Sequence, residues 1–102
     1  MREALNVPRV KDIPATIRTY YEKLELGTSD IASLFEVGLN KALKLKKTVQ
    51  KHMIENDIPI INANYVDTEE AFKVWGIDIE KLEMRYEKLK KYSSIKKEDG
   101  LI

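Results

Sequence analysis

Five lysines fall in residues 41–54 with no acid among them: Lys41, Lys44, Lys46, Lys47 and Lys51. Asn40 stands immediately before them. A lysine ammonium is a mobile point charge that suits phosphate oxygens or the acceptors of guanine, and an asparagine amide can pair with both polar edges of adenine. Together they have chemistry toward a polyanion that carries base edges. A solvated face is the plainer account of any one lysine, but not of five in near succession without a counter-charge. Formal net charge is only +1, so the attraction has to be local. Salt screening confines it to roughly 8–10 Å in any case. The surrounding charge is uneven: residues 55–80 hold seven acids against Lys73, and residues 81–102 are basic again.

A helix has to hold this cluster. Ala42, Leu45, Val49 and Met53 recur at intervals of 3, 4 and 4, the spacing of one buried helix face, which predicts a helix from about Leu39 to Asn56. On it Asn40, Leu43, Lys44 and Lys47 face outward, while Lys46 and Lys51 project elsewhere and are phosphate candidates. Leu43 either touches a thymine methyl or lies partly in the core. Just upstream, Ile31, Ala32 and Phe35 form a one-sided stripe on a short helix. Thr28 or Ser29 can cap that helix and, at its N-terminus, hold a phosphate, with Asp30 complementing the positive helix end. The link Glu36–Val37–Gly38 predicts a tight bend, with Gly38 supplying conformational freedom. Two helices so joined, the second carrying the cations, form a helix-turn-helix, the unit that sets a helix in a DNA major groove. An ordinary helical hairpin would share the apolar pattern.

Length bounds the rest: 102 residues suit one domain, and 43% hydrophobic with 34% charged suits a modest core under a solvated surface. There is no cysteine, which removes disulfides and thiolate metal sites, and the lone histidine, His52, does not make a metal site. No metal, cofactor or small-molecule ligand is expected. No apolar run has membrane-spanning length, so a cytoplasmic protein is the expectation.

Residues 1–11, with Arg2, Arg9 and Lys11, read as a flexible basic arm. A single domain is expected over 12–92. Its first helix spans Asp12 to Leu26, capped by Asp12, with Ile13, Ile17, Tyr20 or Tyr21 and Leu24 inward and Gly27 as its stop. Tyr20 and Tyr21 cannot both face inward. Residues 58–66, with strand formers around a turn at Asn62–Ala63–Asn64, form either a short β-hairpin wing or an extended connection. Helices then occupy 67–92. Asp67 or Thr68 caps the first of them, Ala71, Phe72 and Trp75 are its apolar side, and Gly76 ends or kinks it. Ile79, Leu82, Tyr86 and Leu89, at 3, 4 and 3, make a heptad-like seam on the last helix and a dimer interface. The tail 93–102 is expected to be flexible. The fold class is therefore mainly α: a three-helix core containing the helix-turn-helix, a short wing if 58–66 pairs as a hairpin, and one or two C-terminal helices.

DIASLFEVGLNKALKLKK (Asp30–Lys47) followed by IPIINANYVDTEEAFKVWGID (Ile58–Asp78) resembles the small winged helix-turn-helix proteins of the excisionase and MerR-like group. The resemblance implies a double-stranded DNA-binding regulator or architectural factor of a phage or mobile element, acting as a homodimer. The chain departs from that pattern in placing Glu36, not glycine, after Phe35, and in a wing without lysine or arginine. A different class of reading is a helical protein-interaction module, an adaptor or antitoxin-like binder, working through the acidic stretch and the 79–89 seam. No nucleophile–base pair, metal cluster or glycine-rich phosphate loop speaks for an enzyme.

Overall fold

A computed structural model describes residues 7–98, with side chains through Ile95. In order it forms α1 (Ile13–Glu22), β1 (Glu25–Leu26), α2 (Thr28–Phe35), α3 (Leu39–Glu55), β2 (Val66–Asp67), α4 (Thr68–Trp75) and α5 (Ile79–Glu98). The protein is mainly helical, with five helices among the described residues and one small antiparallel sheet.

Asp12 starts α1, its Oδ1 accepting from the Ala15 amide at 3.0 Å, and Pro14 sits in the first turn where no amide is needed. The helix stops at Glu22, earlier than the expected Leu26. Leu26 is wholly buried in an extended conformation opposite Val66, and Glu25 faces Asp67. Burial of Leu26 against a distant segment outweighs its own helix propensity. Gly27, expected to stop the first helix, is instead the N-cap of α2.

Of the two alternatives for 58–66, the extended connection is found and the hairpin is not. Residues 58–65 are an extended connection, and its end, Val66–Asp67, pairs with β1 from the other side of the helix pair. The Thr68 amide adds a bond to the Leu24 carbonyl at 3.0 Å. The sheet thus closes the helix-turn-helix at its base.

Three helices end the same way. Val37 donates to Ala32, Ile58 to Met53, and Ile77 to Phe72, each spanning the last turn. The residue before each donor takes the left-handed conformation: Glu36 (φ 55°), Asp57 (φ 55°) and Gly76 (φ 70°). This is the Schellman closure, which glycine fits best. In the α2–α3 bend, therefore, Glu36 rather than Gly38 holds the positive φ; Gly38 is extended at φ −71° and caps α3.

The core draws on nearly every element. Ala42, Leu45, Val49 and Met53 are all buried, as their spacing predicts, and meet Ile31, Leu34 and Phe35 from α2. Trp75 packs edge-on against Phe35 at 5.1 Å, and Tyr20 lies against Phe72 at 5.0 Å. Tyr20 takes the inward place; Tyr21 is exposed and its hydroxyl donates to Glu83 of α5.

Both ends differ from expectation. Val7 and Val10 pack against the core, so the described part of the N-terminal segment is not a free arm; residues 1–6 lie outside the described residues. Helix α5 runs on through Ser93 to Glu98, into the segment expected to be flexible. No glycine or proline interrupts it before Gly100, and its lysines and glutamates favour helix without burial. Residues 99–102 lie outside the described residues.

Candidate nucleic-acid interface

The buried stripe of α3 fixes what its opposite face presents. Asn40, Lys44, Lys47 and Lys51 are all exposed, and at 100° per residue they fall within one narrow sector directly opposite Ala42, Leu45 and Val49. They extend over about 16 Å of helix at 1.5 Å per residue. No side-chain bond or ion pair engages Lys44, Lys47 or Lys51 among the described residues; the one contact at Lys44 is its carbonyl, which accepts from the Thr48 hydroxyl at 3.0 Å. Leu43 stands beside this sector at 37% exposure, at the margin between the two places its sequence position allows. Lys41 is half-buried on the flank.

Lys51, expected to project elsewhere, instead shares the sector of Lys44 and Lys47, because four residues on from Lys47 is little more than one helical turn. Lys46 is the larger departure. It was expected to project toward phosphate, but its side chain is 8% exposed and Nζ donates to the Asn64 carbonyl at 3.4 Å. One turn on, Gln50 Nε2 donates to the Ala63 carbonyl at 2.7 Å. These two side chains fasten the connection 58–65 along the flank of α3. The turn at Asn62, where Oδ1 accepts from the Asn64 amide at 2.9 Å, is thereby held beside the lysine face, although it belongs to no hairpin. Sequence periodicity places Lys46 at the edge of the buried stripe; its partner could not be read because it comes from a loop.

The N-terminus of α2 is already occupied by negative charge. Thr28 and Ser29 are its first two residues, but neither caps it. Gly27 is the cap, and Asp30, the third helical residue, reaches back to it, Oδ2 accepting from the Gly27 amide at 2.9 Å while Oδ1 pairs with Lys23 at 3.2 Å. A phosphate approaching Thr28 and Ser29 would meet this carboxylate, so these two residues are the weaker part of the predicted set. Close approach of Tyr65 to Gly27, 3.0 Å from where a Cβ would stand, further crowds this end.

Behind the face, His52 Nε2 lies 3.0 Å from Glu70 Oε1 on α4, and Lys73 reaches Glu70 Oε2 at 3.3 Å. The hydrogen bond from His52, then that from Lys73, holds the Glu70 carboxyl below the usual carboxylate range. Asp67 caps α4 by accepting from the Glu70 amide at 3.0 Å, which positions that carboxylate. The His52–Glu70 pair therefore fixes the C-terminal part of α3 against α4.

The predicted seam on α5 is divided. Ile79 packs against the core, and Leu82 and Tyr86 are half-buried beside the protein's own chain, with Lys90 Nζ 5.1 Å from the Tyr86 ring centre. Leu89 remains 49% exposed, and Tyr92 and Ile95, at 58% and 57%, continue an apolar strip into the part expected to be disordered. Among the described residues no group of three or more His, Cys, Asp or Glu comes together to hold a metal, and no helix is long and apolar enough to cross a membrane.

No protein-family model, curated protein or solved structure shows a significant match to this chain.

Proposed function

We propose that the protein binds double-stranded DNA, with α3 as the helix that enters the major groove. The observation that carries this reading is the α3 face itself: Asn40, Lys44, Lys47 and Lys51 in one sector, exposed, with no acid between residues 41 and 54. It stands on the second helix of a tightly bent pair, the arrangement that presents side chains to base edges while the first helix braces the backbone. Lys44 and Lys47 are assigned to base edges or phosphates near the bend, Asn40 to an adenine, and Lys51 to phosphate further along. The turn at Asn62–Asn64, held against the flank of α3 by Lys46 and Gln50, offers amides and not cations. A homodimer through the exposed strip of α5 beyond Tyr86 would double the contacts that one small domain can make. The resemblance to the excisionase and MerR-like group supports the same reading.

The test is a fluorescence-anisotropy titration with a pool of random-sequence duplexes at two salt concentrations, followed by sequencing of the bound fraction. Enrichment of one motif supports a regulator; binding without enrichment supports an architectural factor. If about four phosphates are engaged, log affinity falls against log salt with a slope near −3.6. Absence of binding at low salt would overturn the proposal in favour of a protein-interaction module.

A further inference from the structure

Away from α2 and α3, the chain forms an open groove of about 800 Å³ between residues 7–13, the α4–α5 turn and the first half of α5. Its floor is apolar: Val10, Ile13, Trp75 and Leu82 line it. Its rim is cationic: Arg9, Lys81, Arg85 and Lys88 are exposed and have no ion-pair partner among the described residues. The one acid lining it, Asp78, is committed to its own helix, where Oδ1 accepts from the amides of Glu80 and Lys81 at 3.0 and 3.2 Å. The groove thus presents four free cations around a concave apolar surface.

We infer that this groove is a docking site for an acidic, amphipathic peptide segment of a partner protein. Charge complementarity selects the acid, because four exposed cations against the single carboxylate of Asp78 repel a basic occupant and attract carboxylates. The floor selects the apolar anchors, since aliphatic and aromatic side chains of a short helix or extended segment can enter a cleft of this volume. A phosphate backbone has nothing to place on Val10, Ile13 and Leu82, which sets this site apart from the α3 face. No residue is shared between the two, so the groove stands whether or not the protein binds DNA.

Selection from a randomised 12-residue peptide library against the whole protein tests it. The enriched peptides are expected to carry Asp or Glu around aliphatic or aromatic anchors. Synthetic versions should shift the emission of Trp75, the only tryptophan, which lines the groove. Arg85→Glu/Lys88→Glu should weaken their binding by about tenfold or more, since both rim charges reverse sign. Met84→Glu, at a groove residue 60% exposed, should weaken it independently without touching the core. Lys44→Ala/Lys47→Ala should leave it unchanged. Failure to enrich any peptide, enrichment of basic peptides, or acidic peptides indifferent to both groove variants would each overturn the inference. So would duplex DNA whose binding Arg85→Glu/Lys88→Glu abolishes, because the cations would then serve phosphate.

Discussion

Leu26 lies directly opposite Val66 in the antiparallel pair β1–β2, and both side chains are buried to within 1% of full exclusion. The two residues flank the whole helix-turn-helix in sequence, so this one contact closes its base. Leu26→Ala should therefore cost about 2–5 kcal/mol, the range for a large aliphatic side chain lost from a packed core. Val66→Ala should cost less, and the double variant should fall short of the sum because the two share one cavity. Urea unfolding of the three variants checks this; strict additivity would show that the strands do not depend on each other.

Glu36 and Asp57 both occupy the left-handed conformation that Gly76 fills without strain. Glu36→Gly and Asp57→Gly should each stabilise the protein by roughly 1 kcal/mol, since a Cβ in that region costs about 1–2 kcal/mol and glycine returns part of the gain as chain entropy. For a domain of this size, that is a rise in Tm of roughly 4–8 °C. Gly76→Ala should shift it the other way. Thermal unfolding decides, and a fall on Glu36→Gly would mean that the glutamate side chain contributes something at the bend beyond its backbone.

Lys44 and Lys46 stand two residues apart on α3 but face different environments, one exposed and one 8% exposed. Lys44→Ala should leave stability within about 0.5 kcal/mol and weaken DNA binding. Lys46→Ala should cost about 1 kcal/mol, through its covered stem and its bond to the Asn64 carbonyl, with a smaller effect on DNA. Anisotropy and unfolding measured on the same two proteins separate the roles; interchangeable behaviour would refute the assignment.

Glu70 has its carboxyl held below the usual range by His52 and Lys73. A depressed carboxylate contributes stability that is fully present above the unfolded-state value, near pH 4.3, and is lost as pH falls through the folded value. Glu70→Gln should accordingly be less stable than the parent protein at pH 6, with the gap narrowing below pH ~4. Denaturant midpoints measured across this range test it, and a gap independent of pH would assign the cost to packing.

Tyr21 on α1 donates to Glu83 on α5 at 2.5 Å, and this bond, the largest cause, raises the phenol above its ordinary value of 10.0. Its contribution should be present below pH 10 and lost as pH rises through the raised value. Tyr21→Phe should therefore loosen α1 against α5 at neutral pH, and its disadvantage should shrink as pH rises through the raised value. Denaturant midpoints of the two proteins at neutral pH and above pH 10 read this.

The buried stripe of α3, the lysine face opposite it, the capping of α1 by Asp12 and of α4 by Asp67, and the burial of Trp75 all follow from local order along the chain. Helical periodicity sets an angle for each residue, and the apolar stripe fixes which angles face inward. A cap likewise depends on a side chain three residues from its amide. These features were legible in the amino-acid sequence because their causes lie within a few residues.

Other features have partners far away in the chain, and only the tertiary structure decided them. Leu26 is helical by its neighbours and becomes a strand because Val66 arrives beside it. Lys46 is solvated by composition and becomes covered because the 58–65 connection folds over it. The cationic groove needs residues 7–13 laid against α5, a juxtaposition that no local pattern encodes. In each case the burial of apolar surface between distant segments outweighs preferences worth under about 1 kcal/mol per residue.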